Sequence, residues 1–303
     1  MKIFRGFEQV KEIRNPVVTT GSFDGVHIGH KTILGRLRLL AEKYNGESVL
    51  ITFDPHPRKV LYPETAGKGL CLINSQEEKL ELLRKAGLDN LIIVEFTKEF
   101  SRITSDEFVR DYLHGKLNAK VVVVGFNHHF GFNQEGDYRQ LWRWREKFNF
   151  EAEEIPEQEV QHETVSSTKI RKAISEGYIQ RANAYLDHYY MIMGIPEKLS
   201  AFFGLNFLKI PLTEECKLLP ATGIYAVSVI SGRANSKGMV VINESQQRKP
   251  EILLHIFEEE DLFQEKTSTI LFHKMIHGAV PLSDTKTAER IINSKGEIMD
   301  LIY

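Results

Sequence analysis

The sequence predicts two domains: an α/β domain on a doubly wound parallel sheet, then a smaller antiparallel β-barrel or sandwich closed by one C-terminal helix. Three observations lead there. Short apolar runs alternate with helical patterns as far as about residue 156. One of those runs, Val121 to Val124, is four valines, too apolar for a half-exposed strand and suited to a buried parallel one. After about residue 190, β-rich runs follow one another with no helices between them. A chain of 303 residues is also more than one core comfortably serves.

The first strand is Val17 to Thr20, running into the turn GSFDGVHIGH. A helix follows with Ile33, Leu34, Leu37 and Leu40 on one face and Gly46 just past its end. Ser48 to Phe53 is the next strand, Glu77 to Lys85 a helix stopped by Gly87, and Leu91 to Val94 another strand. Thr104 with Glu107 forms a capping box for a helix through Tyr112. Tyr138 to Phe148 is helical and Phe150 to Ile155 returns as a strand. Residues 168 to 187 read as two helices interrupted at Gly177. Beyond them GIYAVSVI, GMVVIN, EILLHIF and TSTILFH are strands, and a helix from roughly Asp284 to Asn293 closes the chain.

Composition excludes several classes. A net charge of -2 gives no support for a surface that coats nucleic acid or membrane. The opening MKIFRGFEQVKEIRNP mixes charges and holds no signal-peptide core, and no stretch approaches the ~18 to 20 apolar residues of a membrane span. Cys71 and Cys216 lie far apart in the chain, in neither a CxxC pair nor a disulfide framework. A cytoplasmic, reducing compartment is the expectation.

The strongest chemical signal is the run from Gly21 to His30, at the end of a strand and the start of a long helix. A helix N-terminus presents unpaired N–H groups and a positive dipole end, so anions settle there. Gly25 and Gly29 would let the backbone approach a phosphate closely. His27 and His30, three apart, would face the same side of the opening turn and donate to phosphate oxygens as charge builds up. A lone histidine would suggest only a tight turn; the paired H-x-G-H after a strand favours a phosphate site.

A second signal, Val165 to Arg171 (VSSTKIR), opens a helix after a polar loop. Alone it is read as a helix start with Ser167 as N-cap. Beside the first motif it becomes a second anion cradle, with Arg171 gripping phosphate bidentately. Two loops follow strand C-termini, where such sheets bind ligands: TFDPHP from Thr52, and VGFNHHFG from Val124. Their aromatic, amide and imidazole groups suit a planar heterocycle, but Pro, Gly and Asx turns that merely stabilise loops fit equally well. His56, His128 and His129 lack the spacing of a structural zinc site.

GSFDGVHIGH, TFDPHP, VVGFNHHFG and VSSTKIR, in this order, resemble the bacterial bifunctional riboflavin kinase/FMN adenylyltransferases, or FAD synthetases. The resemblance spans the chain and is strong over residues 1 to about 185. It implies a Rossmann-like nucleotidyltransferase domain at 1–185 and a riboflavin-kinase-like β-barrel domain at 186–303. The first would join the AMP part of ATP to FMN and release pyrophosphate, with Mg²⁺ carried on the ATP and no dedicated metal ligands. His27, His30 and Arg171 are then the catalytic residues. Gly21, Phe23, Asp24, Gly25, Gly29, Ser167 and Thr168 fall on the ATP side, and Phe53, Asp54, Pro55 and Asn127 line the flavin pocket. Asn127 stands where aspartate is common, and His128 where an aromatic, usually phenylalanine, is expected.

The second domain departs further. The family's G-F-P-T-A-N segment corresponds to Gly204-Leu205-Asn206-Phe207-Leu208-Lys209, and the glutamate base two residues before a strand histidine corresponds to Leu253 before His255. Leu219 to Tyr225 (LPATGIY) keeps the family's L-P-A-D-G-V-Y pattern. A kept scaffold with lost kinase chemistry is the expectation. The alternatives are a fully bifunctional enzyme, a transferase with a non-flavin acceptor, and a non-catalytic flavin- or nucleotide-binding regulatory protein.

Overall fold

The computed structural model describes residues 1–160, 163–199, 205–212, 214, 216–244, 250–258, 263, 266–279 and 285–302. It divides into two compact units, residues 1–70 with 79–165, and residues 71–78 with 166–303.

The first unit carries β1 (Lys2–Arg5), β2 (Val17–Thr20), β3 (Ser48–Asp54), β4 (Asn90–Glu95), β5 (Val121–Gly125) and β6 (Glu151–Ile155). They form one sheet in the order β1-β4-β3-β2-β5-β6, every pair parallel. All four residues of β2 and the four valines of β5 are buried, as strands covered on both faces must be. Helix α1 (Ile28–Lys43) turns Leu34, Leu37, Leu40 and Ala41 inward, and Arg36 holds Glu153 of β6 through two bonds of 2.6 and 2.9 Å. The short α2 (Pro57–Leu61) and α3 (Gln76–Lys85) come next in the chain.

The Thr104–Glu107 capping box is present, with Glu107 N–H donating to Thr104 Oγ1 and Thr104 N–H to the Glu107 carboxylate. It starts α4 (Ser105–Glu107), which continues as a π-helix over Phe108–Lys116, four residues past Tyr112. The wider winding sets Phe108 and Tyr112 5.8 Å apart within one aromatic cluster. Helix α5 (Tyr138–Phe148) precedes β6, and β7 (Glu159–Val160) pairs with β8 (Glu163–Thr164). Strand β1 has no sequence signal because it is a four-residue edge strand that buries only Phe4.

In the second unit α6 (Ser167–Ser175) and α7 (Ile179–Leu186) break at Gly177 as anticipated. The strands are β9 (Tyr190–Gly194), β10 (Glu197–Lys198), β11 (Leu208–Lys209), β12 (Gly223–Ser231), β13 (Ala234–Glu244), β14 (Pro250–Ile256) and β15 (Ser268–Gly278). They make a curled antiparallel sheet in the order β10-β11-β14-β13-β12-β15-β9. Helix α8 (Thr285–Leu301) lays Ile291 and Ile298 against Ile224, Met239, Val241 and Leu253. The sequence suggested an end near Asn293, but α8 runs on to Leu301, because Ile298 and Ile302 have a core to enter. Asp284, the expected start, lies outside the described residues.

The segment 71–78 joins this unit through a buried ion pair. Lys217 Nζ sits 2.6 Å from Glu78 Oε2, with the two side chains 2% and 1% exposed. The ammonium also donates to the carbonyls of Ile73 and Met191, and the carboxylate accepts from the backbone N–H groups of Ser75 and Met193. Both charges are thus fully engaged, which is the condition for a buried pair to be tolerated. Lys217→Met should lower stability by about 3–5 kcal/mol, because Glu78 is left as an uncompensated buried charge. Pairing it with Glu78→Leu should restore much of the loss, read as the urea midpoint followed by circular dichroism.

Candidate active site

The strand order reverses around β2: β3 lies on one side of it and β5 on the other. Strands β2 and β5 pair only at Val17↔Val121 and Val18↔Val122. Past that point the ladder ends, and a cleft of 930 Å³ opens over the strand C-termini, lined entirely from the first unit. Such reversal points are where open α/β sheets bind ligands. Thr20, Phe53, Phe96, Gly125 and Ile155 line it at or just past the ends of five strands.

The turn after β2 forms one end. Its Gly21 N–H donates to the Ile51 carbonyl of β3. Phe23, Gly25 and Val26 all have positive φ, at 48°, 90° and 41°. Glycine is the natural occupant at 25, whereas a β-branched valine there is strained, a state found mostly where a site needs a special backbone. Gly29 is needed for a different reason: a Cβ there would stand 3.3 Å from the His27 ring.

His27 occupies the N-cap position of α1 and His30 the third helical position, so the rings stack, with centroids 3.7 Å apart and planes 17° from parallel. Phe23 stacks on the other side of His30 at 4.3 Å. Burial, then the neighbouring His27 and Lys79, hold His30 well below the ordinary histidine range. His30 is therefore neutral in the free protein, with its Nδ1 enclosed and without a hydrogen-bond partner. Below the turn, the Lys79 ammonium lies 3.4 Å from both the Ser22 carbonyl and Thr52 Oγ1.

The other end is aromatic. Phe53, Phe96 and Phe100 pack with centroids 5.4 to 5.9 Å apart, and Phe108 meets Phe130 at 5.9 Å. His128 lies nearly parallel to Phe130, 21° between planes at 6.1 Å. Its Nε2 is shut from solvent without a partner, and burial, with His129 nearby, lowers its pKa to about 4. It behaves as a neutral aromatic ring, which reconciles it with the phenylalanine expected there. Leu61, Tyr62, Phe126 and Phe132 leave large apolar surfaces exposed on the rim, as a cleft for a planar apolar ligand requires.

Of the residues singled out in the sequence, Gly21, Phe23, His27, Gly29, His30, Phe53 and Asn127 line this cleft. Asp24 and Gly25 are buried in the turn and do not line it. Asp54, the last residue of β3, and Pro55 are joined by a cis peptide bond, are exposed, and also stand off the lining. Ser167, Thr168 and Arg171 belong to α6 of the second unit, where the cap is Ser166, one residue before the serine expected, accepting from Lys169 N–H. His56 caps α2 by accepting from Arg58 N–H. Phe96, Phe100 and Phe108 went unrecognised as lining residues, whereas Phe130 belongs to the VGFNHHFG loop singled out in the sequence. The first two follow β4, so the same strand-end rule applied to that loop would have found them. Among the described residues no three His, Cys, Asp or Glu side chains gather as a metal cage.

The family model described as FAD synthetase matches residues 9–169. A bifunctional riboflavin kinase/FMN adenylyltransferase of Listeria monocytogenes is 30% identical, covering 87% of this chain and 81% of its own. A protein of the same description from Buchnera aphidicola subsp. Schizaphis graminum is 29% identical over 96% of each chain. Among solved structures, one described as a macrolide-efflux protein from Streptococcus pneumoniae matches with a TM-score of 0.86 at 22% identity, covering 99% of both chains. At that identity the likeness concerns the fold alone.

The His128 environment has a measurable consequence. Its pKa is about 4 in the folded protein against an ordinary 6.5, so between those values the unfolded chain binds the proton more readily. Stability therefore falls as pH drops through that window, by about 3 kcal/mol from this group. His128→Phe should remove that part of the loss, seen by comparing urea midpoints at pH 7 and pH 4.

Proposed function

The chain belongs to the FAD synthetase family and is an FMN adenylyltransferase, a nucleotidyltransferase acting on ATP and FMN; from that premise we propose which residues perform the transfer and what the second domain has lost. The observation that carries the assignment is the stacked His27–His30 pair at the start of α1, inside a cleft whose other end is aromatic. The nucleotide phosphates bind at the turn from Gly21 to His30, against the positive end of the helix. The isoalloxazine ring lies at the Phe53 end, within reach of the Asn127 amide. Asp24 and Gly25 contribute by shaping the turn, and Asp54 and Pro55 by shaping the exit from β3.

ATP enters as its magnesium complex, the metal held by phosphates and water. An oxygen of the FMN phosphate attacks the α-phosphorus in line; the new phosphorus–oxygen bond forms as the bond to pyrophosphate breaks. The nucleophile is already anionic, so no general base is needed and catalysis is positioning plus charge stabilisation. His27 and His30 meet the phosphates as donors. Incoming negative charge raises the pKa of an imidazole, so the neutral His30 of the free protein is placed to take up positive charge when it is useful. Ser167, Thr168 and Arg171 are proposed as further phosphate-holding residues on the strength of the VSSTKIR resemblance. In functional terms the adenylyltransferase is then 1–185 and the kinase-like domain 186–303, working in the cytoplasm.

The second domain is proposed to have little or no riboflavin kinase activity. Leu253, where the general base is expected, packs into the apolar core with Ile224, Val241 and Ile291. Glu251, two residues further back, lies 3.3 Å from Lys209 Nζ as an ion pair. His255 contacts the backbone carbonyl of Asn206 through Nδ1 at 2.7 Å. Gly204, the first residue of the corresponding nucleotide-holding segment, lies outside the described residues. What persists is scaffold: Tyr225 of the LPATGIY run is buried, its hydroxyl donating to the Ala221 carbonyl.

His30→Ala should reduce FAD synthesis by ~10²–10³ while leaving the circular dichroism unchanged, the usual effect of removing one preorganised donor. Incubation with Mg-ATP and either FMN or riboflavin, followed by flavin separation, tests both domains. FAD from FMN with almost no product from riboflavin is the expected result. Product from riboflavin at a comparable rate would make the protein bifunctional, and FMN bound without turnover would make it a binding protein.

A further inference from the structure

Cys71 and Cys216 are the two cysteines of the chain, and both are half-buried thiols of the second unit. The fold brings their backbones together. Leu72 and Lys217 form a parallel bridge, in which the Leu72 N–H donates to the Cys216 carbonyl and the Leu218 N–H to the Leu72 carbonyl, both at 2.8 Å. Each cysteine is the residue immediately before one member of that bridge. In parallel pairing, neighbouring backbones run about 4.8 Å apart and residues one step back from a pair stand beside each other on the opposite face. A disulfide asks for Cα atoms roughly 4.4–6.8 Å apart, and this placement falls in that range.

The side on which they stand is settled by the lysine. Lys217 points inward to Glu78, with its side chain 2% exposed, so the preceding residue, Cys216, turns the other way. Partial exposure of both thiols agrees with that. The placement is also held firmly, because Lys217 Nζ donates to the carbonyl of Ile73, two residues beyond Cys71.

We propose that Cys71 and Cys216 are a redox-reactive thiol pair that closes to an intramolecular disulfide when exposed to a low-molecular-weight disulfide. The thiolate of one cysteine attacks the sulfur–sulfur bond of the oxidant, forming a mixed disulfide and releasing one small thiol. The second cysteine then attacks the protein sulfur of that mixed disulfide and releases the other. Two protein thiols are oxidised to one disulfide, and the oxidant is reduced to two thiols. The bond would tie the 71–78 segment covalently to the sheet it already joins through Glu78 and Lys217.

The test uses the folded, full-length protein treated with glutathione disulfide, quenched with an alkylating agent and weighed intact. The expected product carries no alkyl groups, is lighter by about 2 Da for the two hydrogens lost, and yields on digestion a linked peptide pair containing both cysteines. Cys71→Ser and Cys216→Ser should each halt at a glutathione adduct on the remaining thiol. Neither cysteine lines the cleft, so FAD synthesis by these variants should match the unaltered protein. Two alkylated thiols after treatment, two separate glutathione adducts, or linkage only between molecules would each overturn the proposal.

Discussion

The functional architecture of this protein rests on a ladder that stops early. Strands β2 and β5 are neighbours at the centre of a parallel sheet, yet they share only two register pairs. Beyond those pairs the chains must leave in different directions, β2 into a turn that starts α1 and β5 into the Phe126–Phe130 loop. Backbone groups released from the ladder need other partners, and the cleft forms in the space between. Thr19 and Thr20, past the last pair with β5, keep buried hydroxyls with no partner.

The two ends of the cleft differ because the two departures differ. The turn after β2 takes up positive φ at Phe23, Gly25 and Val26, which compresses it enough to stack His27 on His30 and His30 on Phe23. Stacked imidazoles beside a buried ammonium cannot comfortably carry further positive charge, so His30 stays uncharged at this end of the cleft. The loops after β3, β4 and β5 instead supply phenylalanines and a neutral His128. A substrate pair with phosphates at one end and a flat ring at the other fits that polarity.

The second unit separates scaffold from chemistry. Its sheet, its capping helix α8 and the buried Tyr225 are what a riboflavin-kinase-like barrel needs to stand. At the position of the expected base, the side chain is instead part of the hydrophobic core. An apolar side chain there favours folding, whereas a carboxylate would have to be desolvated. Anchoring by Glu78 and Lys217 makes the segment 71–78 an integral part of this unit although it lies far away in sequence.

The sequence by itself determined the fold class, most elements to within a residue or two, and several of the residues that line the cleft. Strand and helix periodicities are local, and the Gly21–His30 turn carries its chemistry in one contiguous run. Local rules faltered where burial overrules propensity. Strand β1 is specified by its partner β4, the π-helix extends α4 past Tyr112, and α8 runs through Gly296 because Ile298 and Ile302 have a core to enter. Only the tertiary structure decided which loop residues face the cleft, admitting Phe96 and Phe100 while leaving Asp54 and Pro55 outside. It alone neutralised His128, moved 71–78 into the second unit and set Cys71 beside Cys216. Each of these depends on contacts between residues distant along the chain, and such contacts leave no periodicity for a sequence to display.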